Sequence, residues 1–158
     1  MNKASHSLSI NYHSRLYIYL SVLALSAGGL IYILFRTSEP VFFAWIRSAG
    51  LGNWLDIVRK STLNWNQYLP DWLIYSLPNS LWAFGYATII TGIWSGNRFW
   101  LKYFWLASIP LLVVGCELMQ YQGIIHGTYC LQDLVFGIAG LVIGIFVTLN
   151  HLKHGNHE

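Results

Sequence analysis

Between Arg15 and Arg36 the chain runs for twenty residues, LYIYLSVLALSAGGLIYILF, without a charge. A helix needs about 20 consecutive apolar residues to cross the hydrocarbon core of a bilayer, so this run has the length of a span. Its apolar stretch continues past the small residues around Ala27 to Phe35, which is too long for the core of a cleaved leader. Three more runs follow, at about 79–94, 99–120 and 132–150, the third of the four spans carrying Pro110. Lipid offers no partner to an unpaired backbone amide, so each span must be a helix. Only 9% of the 158 residues are charged and 55% are hydrophobic, whereas a soluble domain carries about a quarter charged residues. The expectation is an all-α polytopic membrane protein. It forms a single domain over residues 1–158, with four transmembrane helices at about 16–35, 79–94, 99–120 and 132–150.

Basic residues in short connections stay on the cytoplasmic side. Arg98 and Lys102 flank the connection between the second and third spans, and the next connection, GIIHGTYCLQ, has neither Lys nor Arg. This contrast predicts a multi-pass protein of the cytoplasmic membrane with both termini inside. The connection of about forty residues between the first two spans is then external. Its segments VFFAWIRSAGLGNWLDIVRK and LNWNQYLPDWLIYSLP mix Trp, Tyr and Leu with scattered charges, the composition of a segment lying in the membrane interface. Pro70 and Pro78 bracket DWLIYSL, read as a helical turn or a re-entrant piece. The net charge of +3 suits lipid headgroups, and no nucleic-acid motif or partner is visible.

Charge is scarce, so its placement is informative. Glu117 and Gln120 are three apart at the outer end of the third span and share a helix face; Asp133 opens the fourth. Gly137, Gly140 and Gly144 lie below Asp133 on one helical stripe. Such a stripe admits a close neighbour, expected to be the third span because it adjoins in sequence. On the second span Asn79, Trp82 and Tyr86 fall on one face, either as an aromatic belt or as the wall of a pocket floored by Glu117 and Asp133. A helix-end carboxylate also has plainer roles. Asp133 suits a helix N-terminus, whereas Glu117 sits at the unfavourable end of the helix dipole. His126 lies between Ile125 and Gly127 in the third connection, and a lone histidine there is more often a surface residue than a ligand. No dense ligand spacing supports a metal site, and no cofactor is implied. Cys116 and Cys130 both fall near the outer boundary, leaving a disulfide open.

The stretch GCELMQYQGIIHGTYCLQDLVFGIAGLVIG, residues 115–144, resembles the signature of the VanZ-like membrane proteins. There, E-x-x-Q closes one span and D-x-x-x-N-x-x-G-x-x-x-G opens the next. Glu117, Gln120, Asp133, Gly140 and Gly144 match that spacing, and Trp82 and Tyr86 stand where the family tends to carry His and Tyr. Gly137 replaces the family's usual Asn, LPNS replaces an Asp-Lys pair, and the usual loop Arg is missing. The resemblance implies an envelope protein linked to glycopeptide-antibiotic resistance. With no phosphate-binding loop, arginine cluster or evident nucleophile, the residues favour a binding role over catalysis. The expected partner is a membrane lipid or lipid-linked ligand at the outer face. The alternatives are an intramembrane enzyme acting on a lipid-linked sugar or phosphate, and a structural subunit docked on another membrane protein.

Overall fold

A computed structural model describes residues 4–36, 41–94, 98–125 and 129–155, and within these ranges the backbone is helical apart from short turns. Helix α1 covers Ala4–Phe35, α2 Val41–Ile46, α3 Gly52–Thr62, α4 Leu77–Trp94, α5 Leu101–Tyr121 and α6 Leu131–Gly155. Three stretches are long and apolar enough to cross a membrane: Leu16–Phe35, Leu101–Tyr121 and Leu131–Lys153. No more than 28% of any of them is buried inside the protein. Leu23, Leu30, Phe104, Leu111, Val142 and Phe146 are among the large side chains left facing outward. A surface of this kind requires an apolar solvent.

The second expected span, α4, is not among these three, and it is the helix that the others cover. Pro78, Ala83, Gly85, Ala87, Thr88, Ile90 and Thr91 are buried along its 18 residues. Small residues line both of its seams. Towards α1, Gly85 lies against the Ser21 carbonyl and Leu25, Gly28 makes room for Trp82, and Gly92 makes room for Tyr17. Towards α6, Ser80, Phe84 and Thr88 meet Gly140, Gly144 and Thr148, a four-residue spacing on both helices. Side chains this small let the two backbones approach until dispersion contacts form along their whole length. The Thr148 hydroxyl, fully enclosed, donates to the Gly144 carbonyl at 2.8 Å.

The principal partner of the glycine stripe is therefore α4, and the expected pairing with the third span is corrected. Only Gly137, at its upper end, faces α5, through Val113. Helical periodicity identifies which residues share a face but carries no information about which helix covers it.

The connection from α1 to α4 is itself folded. Gly50 has φ 82°, a left-handed turn that glycine adopts without the Cβ clash other residues meet, and it turns the chain from α2 into α3. Arg47 and Asp56 clasp the two sides of this turn with paired contacts of 2.9 and 3.0 Å. The segment then closes the end of α1, whose last carbonyls have no partner within the helix. Arg59 Nη2 donates to the Arg36 carbonyl at 2.8 Å, Thr62 Oγ1 to that of Leu34 at 2.6 Å, and Asn66 Nδ2 to that of Phe35 at 2.7 Å. DWLIYSL is a helical turn, the first of the two forms expected of it. A π-helical turn, Trp72–Ser76, leads directly into α4, with the Leu77 amide bonded to the Trp72 carbonyl. Pro78 supplies the reason: its ring crowds the carbonyl four residues back and it has no N–H to offer, so the preceding turn widens.

Candidate functional site

Helix α5 ends in a turn that fixes its last polar residues. Gly123, at φ 71°, donates to the Gln120 carbonyl at 3.0 Å, and Ile124 to that of Met119 at 2.9 Å. This double bond pattern stops the helix just beyond Glu117 and Gln120. Three residues into α6, Asp133 Oδ1 accepts the Ser76 hydroxyl at 2.6 Å. Trp72 stacks on Phe136 with ring centroids 5.9 Å apart, so the turn preceding α4 grips the first turns of α6. The end of α5 and the starts of α4 and α6 thus meet at one end of the bundle.

A groove of about 330 Å³ opens there between α4, α5 and α6. Helix α4 contributes Asn79, Trp82, Ala83 and Tyr86. Helix α5 contributes Leu112, Val113, Cys116, Glu117 and Gln120, and α6 contributes Asp133 and Gly137. The structure thus brings together six of the seven residues expected of a ligand site or polar network: Asn79, Trp82, Tyr86, Glu117, Gln120 and Asp133. His126 lies outside the described residues. Ser76 escaped the sequence reading, and its one signal is a hydroxyl two residues before the proline that starts an apolar run. Cys116 lines the groove as a free thiol, and Cys130 is likewise unbridged.

Glu117 is 8% exposed. The Cys130 backbone amide and the Asp133 carboxylate both lie near enough to act on its charge. One carboxylate oxygen, Oε2, has no hydrogen-bond partner. Removing a carboxylate from water costs several kcal/mol unless a partner compensates, so an unpartnered oxygen here is a departure that calls for a chemical reason. Among the described residues lining the groove there is no Lys or Arg. No three His, Cys, Asp or Glu side chains among the described residues converge as a metal site.

The aromatic wall is held from behind. Trp82 Nε1 donates to the Leu25 carbonyl at 3.3 Å, and its ring tilts against Tyr32 at 5.3 Å between centroids. The Tyr86 hydroxyl pairs with Ser108 Oγ at 2.8 Å. With both polar atoms engaged, these side chains offer the groove ring surface. A second cavity of about 320 Å³, at the opposite end of the bundle, is walled mainly by Leu16, Tyr17, Leu20, Phe146 and Val147 and contains no carboxylate. Size does not separate the two cavities; chemistry does.

No protein-family model, curated protein or solved structure matches this chain.

Proposed function

We propose that this chain is a VanZ-like protein that crosses the cytoplasmic membrane four times, α4 being the second span, with both termini in the cytoplasm. Its outer-face groove binds a lipid-linked or lipid-like ligand and so influences how the cell envelope meets glycopeptide antibiotics. The observation that carries the reading is the convergence of Glu117, Gln120 and Asp133 with Trp82 and Tyr86 on one groove in a chain this poor in charge. Intramembrane carboxylates are expensive and mark functional sites by default. The groove opens between helices whose outward faces suit lipid, which gives an acyl chain a route to it. Residues 41–68 are the external interfacial segment in this reading. They leave Trp45, Trp54, Ile57, Trp65 and Tyr68 exposed, as a segment resting among headgroups would.

Expression in a glycopeptide-susceptible bacterium tests the function. Glu117→Gln, Asp133→Asn and the double variant are expected to lose the protective effect to the same extent at normal membrane abundance, because members of one polar network are not additive. Full protection by both single variants would leave only a structural role. The two repelling carboxylates also favour a second reading, acid/base catalysis on a lipid-linked substrate. Turnover by purified protein that falls about 10²- to 10⁴-fold in Glu117→Gln would establish that reading instead. Membrane-impermeant labelling of single cysteines at positions 95 and 128, with Cys116 and Cys130 replaced, tests the orientation. Labelling at 128 alone is expected in intact cells, and labelling at 95 alone would invert the topology.

A further inference from the structure

Resting on the ligand-binding reading above, we infer that the groove takes an ammonium headgroup, carried by an amphiphile whose chain lies along Leu112 and Val113. Three observations narrow the headgroup. The first is the unpartnered Oε2 of a carboxylate that is more than nine-tenths buried and lines the groove. An N–H donor bearing positive charge satisfies such an oxygen more strongly than a neutral hydroxyl does, because charge-assisted hydrogen bonds are roughly twice as strong.

The second is the balance of charge. Glu117 and Asp133 both line the groove, near enough for their charges to repel, and among the described lining residues no cation offsets them. A phosphate or carboxylate headgroup would add a third negative charge at this point, while an ammonium relieves the repulsion already there. Asp133 keeps Ser76 as a donor, so the unmet demand falls on Glu117. The third is the wall. Trp82 and Tyr86 have their polar atoms bonded to α1 and α5, leaving ring surface, and the negative face of an aromatic ring attracts a cation, the more so when water is excluded. Carboxylate acceptors beside aromatic rings, with apolar side chains leading outward to the lipid-facing side, describe a receptor for a cation on an alkyl chain. The Gln120 and Asn79 amides remain available to a polar linker between the two.

Purified protein in octaethylene glycol dodecyl ether micelles, which are uncharged and free of sugar, provides the test. Thermal unfolding is followed against the micellar mole fraction of dodecylamine, dodecyl phosphate or dodecyl maltoside, with methylamine as a soluble amine. Dodecylamine is expected to stabilise the wild type at a mole fraction at least tenfold lower than Glu117→Gln requires, with no Glu117-dependent effect of dodecyl phosphate. Methylamine acting as well as dodecylamine would assign the site to a soluble amine and overturn the amphiphile. Should Glu117→Gln fail to fold, Gln120→Lys keeps the test open. It places an ammonium in the groove beside an intact Glu117 and is expected to abolish the response to dodecylamine; an unaltered response would overturn the inference. Glu117-dependent stabilisation by dodecyl maltoside but not by dodecylamine would reject the ammonium headgroup and leave the lipid-like ligand standing. Identical responses of wild type and Glu117→Gln to all three amphiphiles would reject both.

Discussion

Helix α6 is two interfaces in succession. From Gly140 to Thr148 it lies backbone to backbone on α4, and the contacts involve glycine, serine and threonine. From Asp133 to Gly137 it stands beside a groove, and what crosses the gap is a hydroxyl, an amide and two carboxylates. One turn of helix separates the regimes. Small residues draw helices together until no ligand fits, whereas a buried charge holds them apart because its partner must have room. The lower interface fixes the geometry that the upper one uses.

The largest effect that would break this contrast is expected at Gly140. A Cβ there collides with the Ser80 backbone carbonyl, which has no flexible end to move aside. Gly140→Leu should therefore cost more than the 1–3 kcal/mol, roughly, of ordinary overpacking and deplete folded protein, while Ala139→Leu on the exposed face stays near wild type. Equal abundance and equal thermal unfolding of the two would remove the distinction between the halves. A finer version compares alanine at two glycines. At Gly144 the added carbon would lie 2.7 Å from the Phe84 carbonyl oxygen, and a loss of about 2 kcal/mol is expected. At Gly137 it would meet only the Val113 Cγ1 methyl, at 2.9 Å, which can rotate, and the loss should stay below about 1 kcal/mol. Unfolding midpoints in one detergent measure both, and the reverse order would place the tight seam on α5.

In the upper half, Ser76→Ala should cost about 1.5 kcal/mol, the contribution of a hydrogen bond to a charged acceptor. In an Asp133→Ala background the same change should cost almost nothing, since the partner is already gone; a full additive loss would show that Ser76 acts through other contacts. Tyr86→Phe releases Ser108 at a cost of about 1 kcal/mol and leaves ring surface in the groove. It should leave binding of dodecylamine unchanged, whereas Trp82→Ala should weaken it.

These contrasts also show where the sequence was legible. The helices at Leu16–Phe35, Leu101–Tyr121 and Leu131–Lys153 follow from long apolar runs poor in charge, which lipid-facing helices cannot avoid. Helix α4 is not among them, and it is the central one: covered on two sides by helices, it carries Ser80, Thr88 and Thr91 where a lipid-facing helix would carry Leu. Glu117 and Asp133 stood out because charges are scarce, and the 3/4 spacing of Asn79, Trp82 and Tyr86 marked their wall. Ser76 did not, since a lone serine in an aromatic segment has no periodicity to betray it. The seat of Gly140 and Gly144 on α4 needed three dimensions, because adjacency along the chain favours α5 and only the matching small residues of α4 decide otherwise.

The capping of α1 has a consequence for biosynthesis. The three carbonyls at its end wait for side chains that lie 23, 28 and 31 positions further along the chain. A ribosome adding about 5–20 residues per second leaves that end open for roughly 2 to 6 s after the helix has been made. During that interval the end carbonyls of the first helix have only water or headgroups to bond, which holds that end at a polar boundary before any other helix arrives. Arrival of Arg59, Thr62 and Asn66 then replaces those solvent contacts, and the nascent chain closes its first helix before α4 is complete.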